Sequence, residues 1–413
     1  MKILKSLTII IPLLLSIIYS SCSDPLTGTT GVSGVVRGYN EIPVSSLTLR
    51  IGDDYARTAD DGSFSFKKVY YPYDLVIYDS TFDIGAIIYK NLSADKLNLF
   101  IDRYVNSQSY AQIRIHMPVN FNNGNYQGKA FFTNGQDINA NTGIGNSFSN
   151  SLYIHAKQSE PVNGKLIVLI YSKDVNGKIV SYNNYGESPQ MTLQPGTITD
   201  YTFDSLSLTL NPGEENISGS FDIEGYNDIR TYYYISFGNT GNTDYYEELG
   251  YFSGWIFNFK IPSGLPLNFK TYIINNTHTG LGSSYETFPV YPSVPNNFTI
   301  KDPCTLITPE NGSESVNSGT VFSFSSGSGN GIHIVSLNNI SRYVNFKIFT
   351  DKTNFTLEGL DQLGLGYINN NNFRWDVQEA GPSGSLNDYV VNNINREQFF
   401  STTSVSKEFT TMP

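Results

Sequence analysis

The fold class is decided by the stretch Asp60-Asp61-Gly62-Ser63-Phe64-Ser65-Phe66, in which a turn sequence leads directly into alternating polar and aromatic residues. Asp-Gly favours a tight hairpin turn because glycine readily adopts positive φ angles. The alternation that follows places Phe64 and Phe66 on one face of a strand. Alternating runs recur at residues 47–51, 165–171, 205–210 and 321–324, and no stretch after the N-terminal apolar run keeps a helical period. The sequence therefore predicts an all-β protein of tandem β-sandwiches.

The composition agrees with this fold class and argues against one class of binding partner. Charged residues make up only 15% of the 413 residues, and aromatic residues make up 14%. The formal net charge is −11, and the 26 basic residues are scattered along the chain. Because phosphate binding needs clustered Lys and Arg, we expect no nucleic-acid partner. The length predicts three or four domains of roughly 100–150 residues.

The N-terminus has the pattern of an export signal. Residues 1–5 include two lysines, residues 7–18 are predominantly apolar, and small residues lead up to Cys22. The apolar run is too short to span a bilayer, so we expect residues 1–21 to be a signal peptide.

Cys22 directly after Ser20 and Ser21 resembles the lipobox of bacterial lipoproteins, from which Tyr19 departs because the family usually has Leu, Val or Ile there. The resemblance implies that Cys22 is the first mature residue and carries acyl chains, with residues 22–30 as a tether. It also implies a cell-envelope protein that is anchored to a membrane through lipid and exposed at the surface. A plainly cleaved secretory signal and an uncleaved anchor are the alternatives.

Residues 31–103 carry a spaced set of small, turn-forming and apolar residues: Gly34, Val36, Pro43, Val44, Thr58, Asp60, Gly62, Phe64, Tyr73, Leu75 and Ile77. This set resembles the carboxypeptidase regulatory-like domain, from which Pro72 departs because the family commonly has Gly there. The resemblance implies a transthyretin-like β-sandwich that has no peptidase chemistry.

The middle of the chain is similar to itself. Residues 113–118 and 126–135 parallel residues 219–224 and 232–239, and two later strands follow in the same order. We therefore predict one β-sandwich over residues 108–211 and a second over 216–302, a possible repeat of the first. Shared β-patterning alone would give the same likeness. Residues 203–210 and 297–300 are the expected closing strands.

The last segment, residues 303–413, centres on Phe373-Arg374-Trp375-Asp376-Val377. Ala380 follows this stretch in the sequence, and Phe324 lies on an earlier predicted strand. It resembles a fibronectin type III module, which implies that Trp375 lies in the core. The Gly and Ser run from Ser325 to Gly331 is wider than the usual loop of that family. Proline-bearing joints near Pro212 and Pro303 predict that the modules are separable.

The sequence offers little catalytic chemistry. The 4 His residues lie in separate segments without metal-ligand or triad spacing, so we predict no metal, no cofactor and no enzyme activity. The chain has only 2 Cys, which excludes a disulfide framework. Cys304 has no His or positive group beside it, so we expect a small buried side chain rather than a catalytic thiol.

Clustered aromatics are the feature that favours recognition. Tyr233, Tyr246, Tyr251 and Trp255 lie in runs where adjacent rings point to both faces of strands. Exposed rings can stack on sugars or anchor a protein contact, so these four are the candidate binding residues. The alternative is that the rings cover joints between sandwiches.

Three functions follow from these features. The first is a non-enzymatic, lipid-anchored envelope protein, a rod of β-sandwiches with a structural, adhesive or ligand-binding role. The second is a carbohydrate-binding accessory lipoprotein of a polysaccharide-uptake system. The third is a hydrolase with a site built from loops. The expected partners are the membrane, through the lipid anchor, and a glycan or an envelope protein.

Overall fold

Strands account for nearly all of the regular structure. A computed structural model describes residues 29–38, 42–78, 84–101, 110–118, 127–134, 138–144, 149–155, 160–204, 208, 211–222, 228–237, 247–265, 269–340, 345–357, 370–392 and 399–412. These residues form 31 strands and one short helix. Among them, no helix has the length and apolar character needed to cross a membrane. The predicted class, all-β with tandem sandwiches, is confirmed.

The first sandwich contains seven strands: β1 (Thr29–Arg37), β2 (Thr48–Ile51), β3 (Asp54–Arg57), β4 (Ser63–Tyr70), β5 (Tyr73–Tyr78), β6 (Ile84–Leu92) and β7 (Lys96–Phe100). Its two sheets have the strand orders β4-β1-β7 and β3-β2-β5-β6. The first and last strands, β1 and β7, pair in parallel. The turn sequence behaves as predicted, because Gly62 has a φ of 74° and both Phe64 and Phe66 are buried.

The second sandwich repeats this topology. Its strands are β8 (Tyr110–His116), β9 (Gln127–Thr133), β10 (Ile138–Ile144), β11 (Ser149–His155), β12 (Val162–Lys173), β13 (Ile179–Glu187), β14 (Met191–Leu193) and β15 (Ile198–Thr202). The sheets have the orders β11-β8-β15 and β10-β9-β12-β13, with β14 as an addition to β12. Again the first and last strands, β8 and β15, are parallel.

The third sandwich follows the same plan. Its strands are β16 (Gly213–Asp222), β17 (Asp228–Phe237), β18 (Glu247–Ser253), β19 (Ile256–Ser263), β20 (Phe269–Thr279), β21 (Gly282–Val290) and β22 (Asn296–Thr299). Its sheets are β19-β16-β22 and β18-β17-β20-β21, and β16 and β22 are parallel. The stretches that are similar in sequence lie on corresponding strands, and the first sandwich is a third example of this topology.

The closing strand of the second sandwich was predicted in the wrong place. It is β15, which ends before Phe203, whereas residues 203–210 were expected. The side chains of β15 are exposed or half-buried, so the strand lacks the apolar alternation that marks a strand in sequence. Residues 205–207 and 209–210 lie outside the described residues.

The fourth sandwich has a different strand order. Its elements are β23 (Thr305–Thr308), β24 (Ser313–Val316), β25 (Phe322–Ser325), β26 (Ile332–Asn339), β27 (Asn345–Thr350), β28 (Asn354–Phe355), β29 (Asn372–Gly381), α1 (Leu386–Val391), β30 (Phe400–Ser404) and β31 (Lys407–Thr411). The sheet β23-β25-β28 faces β31-β29-β26-β27. Between these sheets Trp375 is fully buried, and the edge of its ring meets Phe322 with centroids 5.3 Å apart. The prediction that Trp375 lies in the core is confirmed.

The fourth sandwich is joined edge to edge with the first. Strand β27 pairs in parallel with β6, which makes the two sheets continuous. The buried cluster of the first sandwich also includes Ile334, Phe349, Leu386 and Val390 from the fourth. The expectation of few contacts between modules is therefore wrong for this pair, because prolines mark the joints of the chain but do not show which sheet edges pair.

The fourth sandwich also continues into the third. Strand β30 pairs with β21 of the third sandwich and with β29 of its own. One sheet of fourteen strands thus runs through the third, fourth and first sandwiches. Beside this junction the Glu286 carboxylate, 1% exposed, accepts from Lys301 Nζ at 2.9 Å and from the Lys301 backbone at 2.6 Å.

The second and third sandwiches share a core. In β12, Leu166, Val168 and Ile170 face the core of the second sandwich. The alternate residues, which include Ile167 and Leu169, pack with apolar residues of the third. Residues 166–171 are therefore buried on both faces of the strand, whereas the sequence predicted a half-buried strand here. These contacts arrange the sandwiches in the order first, fourth, third and second.

Candidate functional site

The four aromatic residues proposed for binding do not form one exposed platform. Tyr233 is 1% exposed, and its ring stacks on Phe259 with centroids 4.3 Å apart. The expectation of an accessible ring is wrong here, because the inward face of β17 packs on β19. Trp255 lies between β18 and β19 and is 58% exposed, beside Ile256 at 69%. Tyr246 and Cys22 lie outside the described residues, as does the side chain of Tyr251.

A second group of side chains, which the sequence did not predict, lies inside the fourth sandwich. Cys304 immediately precedes β23, His333 lies in β26 and Glu379 lies in β29. His333 and Glu379 are direct cross-strand partners. A ring nitrogen of His333, the Cys304 thiol and a Glu379 carboxylate oxygen all lie within 4.8 Å of one another. We call these three residues the Cys-His-Glu cluster.

The Cys-His-Glu cluster is closed to solvent. Cys304 and Glu379 are 0% exposed, and His333 is 4% exposed. Cys304 Sγ lies 3.8 Å from Glu379 Oε2. The Gly331 backbone donates to Glu379 Oε1 at 2.8 Å. His333 Nε2 is 3.3 Å from Ser326 Oγ, and the His333 ring meets the Phe324 ring edge-on. The cluster is therefore a buried polar centre within an apolar core.

The loop between β25 and β26 covers the Cys-His-Glu cluster. A Cβ atom on Gly327 would lie 2.6 Å from Glu379 Oε2 and would overlap the Asp302 carbonyl. A Cβ on Gly331 would overlap the Ala380 carbonyl. The run of small residues that departs from the fibronectin type III pattern is thus what allows the backbone to approach the cluster this closely.

The electrostatics of the Cys-His-Glu cluster oppose thiol catalysis. Burial raises the pKa of Cys304 to about 12, and the Glu379 charge adds to the rise. Burial also lowers the pKa of His333, although Glu379, Asp351 and the Lys352 backbone act in the opposite direction. At neutral pH the thiol is protonated and the imidazole is neutral. Since the thiolate is the nucleophile, this arrangement keeps Cys304 inert.

Sequence reasoning missed the Cys-His-Glu cluster because its members are far apart in the chain. The spacing from Cys304 to His333 to Glu379 matches no metal or catalytic motif. Strand pairing in the folded protein, not a local motif, brings them together. The available signal was indirect: one of the two cysteines and one of the four histidines fall in the same segment as the unusual Gly and Ser loop.

Comparisons with known proteins give weak similarities only. No protein-family model matches the chain, and the search of curated proteins found no match. It is similar to the Bacillus anthracis TIE protein, at 10% identity over 66% of this chain and 50% of that one, with a TM-score of 0.17. It is also similar to the major pilin subunit of Bacillus cereus, at 9% identity, 66% and 99% coverage and a TM-score of 0.14.

The Streptococcal ancillary pilin is a further example, at 6% identity over 65% of this chain and 98% of that one, with a TM-score of 0.16. The chain spans half the length of the TIE protein. TM-scores this low assign neither a family nor a function.

Proposed function

We propose that this is a non-enzymatic, lipid-anchored cell-envelope protein with a structural, adhesive or ligand-binding role. The observation that carries the proposal is the continuous sheet through the third, fourth and first sandwiches. Tandem domains with few contacts move relative to one another, whereas sheet pairing and shared cores make one stiff body. Residues 22–30 lead into that body, so an acylated Cys22 would hold it at a membrane surface.

The burial of the Cys-His-Glu cluster supports a role without catalysis. The Cys-His-Glu cluster lies beneath a loop, and its three members are between 0% and 4% exposed. A carboxypeptidase regulatory-like first sandwich and a fibronectin type III-like fourth sandwich remain part of this proposal. Both units are two-sheet β-sandwiches, as the two resemblances imply, and Trp375 is buried in the core of the fourth. A hydrolase built from loops has no supporting observation among the described residues, and a hydrolase screen of the mature chain tests it.

The lipid anchor is tested by replacing Cys22 with Ala and fractionating the cells. We expect the wild-type protein in the membrane fraction with a mass that includes acyl chains, and the Cys22→Ala protein without them. Cys304→Ser is the matched control, because Cys22 and Cys304 are the chain's 2 cysteines. A Cys22→Ala protein that keeps both its acyl mass and its membrane location would contradict the anchor.

Glycan binding is the second candidate function, and the exposure of Trp255 favours it. An indole that is 58% exposed beside an exposed Ile256 offers a flat apolar surface of the kind that stacks on sugar rings. The test is a glycan array with the wild-type protein and with Trp255→Ala. Tyr291→Ala, which removes another ring that is 60% exposed, is the control. Binding that both variants retain would argue against this function.

A further inference from the structure

We propose that Cys304, His333 and Glu379 bind one divalent metal ion of the zinc class, and that this ion fixes the joint between the third and fourth sandwiches. A thiolate sulfur, an imidazole nitrogen and a carboxylate oxygen are the three donor types that zinc takes in proteins. The ion would displace the thiol proton of Cys304 to solvent, so each binding event releases one proton. The proposal depends on neither the lipid anchor nor the role at the envelope.

The distances fit a tetrahedral ion. With metal bonds of about 2.3 Å to sulfur and about 2.1 Å to oxygen, the two donor atoms lie about 3.6 Å apart. Cys304 Sγ and Glu379 Oε2 are 3.8 Å apart. The three donor atoms all lie within 4.8 Å of one another. Side-chain movements of less than about 1 Å would therefore bring all three to bonding distance from one ion. Ser326 Oγ lies 3.3 Å from His333 Nε2 and is an oxygen atom close enough to serve as the fourth ligand of the ion.

The charge of Glu379 gives an independent reason to expect a cation. Its carboxylate is fully buried, and in the described part of the chain it forms no ion pair with a lysine or an arginine. Buried carboxylates are costly unless they are paired or coordinate a metal. An ion would give the Glu379 carboxylate a positive partner.

The position of the Cys-His-Glu cluster gives the ion a structural role. Cys304 follows directly on the segment that connects the third and fourth sandwiches. The loop over the cluster packs on Phe400, since a Cβ on Gly329 would overlap the Phe400 ring. Phe400 begins β30, the strand that pairs with β21 of the third sandwich. An ion held by the connection, by β26 and by β29 would therefore tie together the parts that form this joint.

The test is metal binding to the full chain with Cys22→Ala, in which Cys304 is the only thiol. We expect one Zn²⁺ per chain after dialysis against zinc, measured by elemental analysis, and a higher melting temperature that a chelator reverses. Co²⁺ in place of Zn²⁺ should give a sulfur-to-cobalt charge-transfer band and the intense visible bands of tetrahedral cobalt.

Variants assign the ligands. We expect Cys304→Ser to abolish the charge-transfer band. We also expect His333→Gln and Glu379→Gln to weaken Zn²⁺ binding by at least about 10-fold, the lower end of the loss seen for groups that only support metal ligands. Gly327→Ala should weaken binding as well, because its Cβ would displace Glu379. His278→Gln, an exposed histidine in the third sandwich, is the control and should bind normally.

Either of two results would overturn the proposal. One is a folded Cys22→Ala chain that retains no zinc and gives no charge-transfer band with Co²⁺. The other is stoichiometric binding that all three ligand variants and the control retain equally. If Cys304→Ser does not fold, the Co²⁺ spectrum of the Cys22→Ala chain still shows whether Cys304 binds the metal, because Cys304 is the only thiol in that chain.

Discussion

The ring of Tyr89 in the first sandwich stacks on the ring of Phe349 in the fourth, with centroids 4.6 Å apart and an angle of 21° between the planes. Tyr89 is 1% exposed and Phe349 is 6% exposed. The two residues are also direct partners in the parallel pairing of β6 and β27. The first and last folded units of the chain therefore share both a sheet and a core.

This joint predicts that residues 303–413 do not fold independently. Expressed alone, the segment would expose Ile334, Phe349, Leu386 and Val390, which are buried in the first sandwich's cluster. Burying such side chains is worth about 1.5–3 kcal/mol each, a large share of the stability of a single domain. We expect circular dichroism to show no cooperative melting. A fragment that melts cooperatively at the temperature of the full chain would contradict this.

Trp375 and Arg374 should respond oppositely to truncation. Trp375→Ala empties a fully buried site and should cost about 3–5 kcal/mol. Arg374 is half-exposed and pairs with Glu408 at 2.8 Å, so Arg374→Ala should cost less than about 1 kcal/mol. Urea denaturation of the full chain measures both. Equal losses for the two variants would mean that the burial of the indole is not what stabilises this core.

Tyr233 and Trp255 form a second contrasting pair. Tyr233→Ala removes a buried ring that stacks on Phe259 and should destabilise the third sandwich by about 3 kcal/mol or more. Trp255→Ala removes an exposed ring and should change the stability by about 0.5 kcal/mol or less. Thermal melting distinguishes them. If Trp255→Ala lowered the melting temperature and Tyr233→Ala did not, the burial assigned to these two rings would be wrong.

The Glu286–Lys301 pair predicts a coupled effect at the junction of the third and fourth sandwiches. Lys301→Met leaves the buried Glu286 carboxylate without its ammonium partner and should cost about 3 kcal/mol. Adding Glu286→Gln removes the buried charge, so the double variant should recover part of that loss. A double-mutant cycle measured by chemical denaturation gives the coupling energy. Additive losses would indicate that the pair contributes little.

Local patterns in the sequence were enough to predict some of the strands and their buried faces. The alternation around Phe64 and Phe66 predicted a half-buried strand, and Phe373, Trp375 and Val377 predicted the core face of β29. Both predictions depend only on the period of a strand. The apolar stretch 166–171 was predicted as half-buried because its second buried face depends on another sandwich, which no local pattern identifies.

The joints and the Cys-His-Glu cluster depend on contacts between distant parts of the chain. Nothing in β6 or β27 distinguishes a free sheet edge from an edge that is paired with the far end of the sequence. Likewise, His333 and Glu379 become neighbours only through the register of β26 and β29. Such relationships are set by the packing of whole sandwiches.

The continuity of the sheet from the first sandwich into the fourth is tested most directly by amide hydrogen exchange in the full chain. If β27 is an interior strand paired with both β26 and β6, its amides should exchange as slowly as those of β26. Strand β3, an exposed edge of the same sheet, is the internal reference and should exchange faster. Amides of β27 that exchange as fast as those of β3 would contradict the joined sheet.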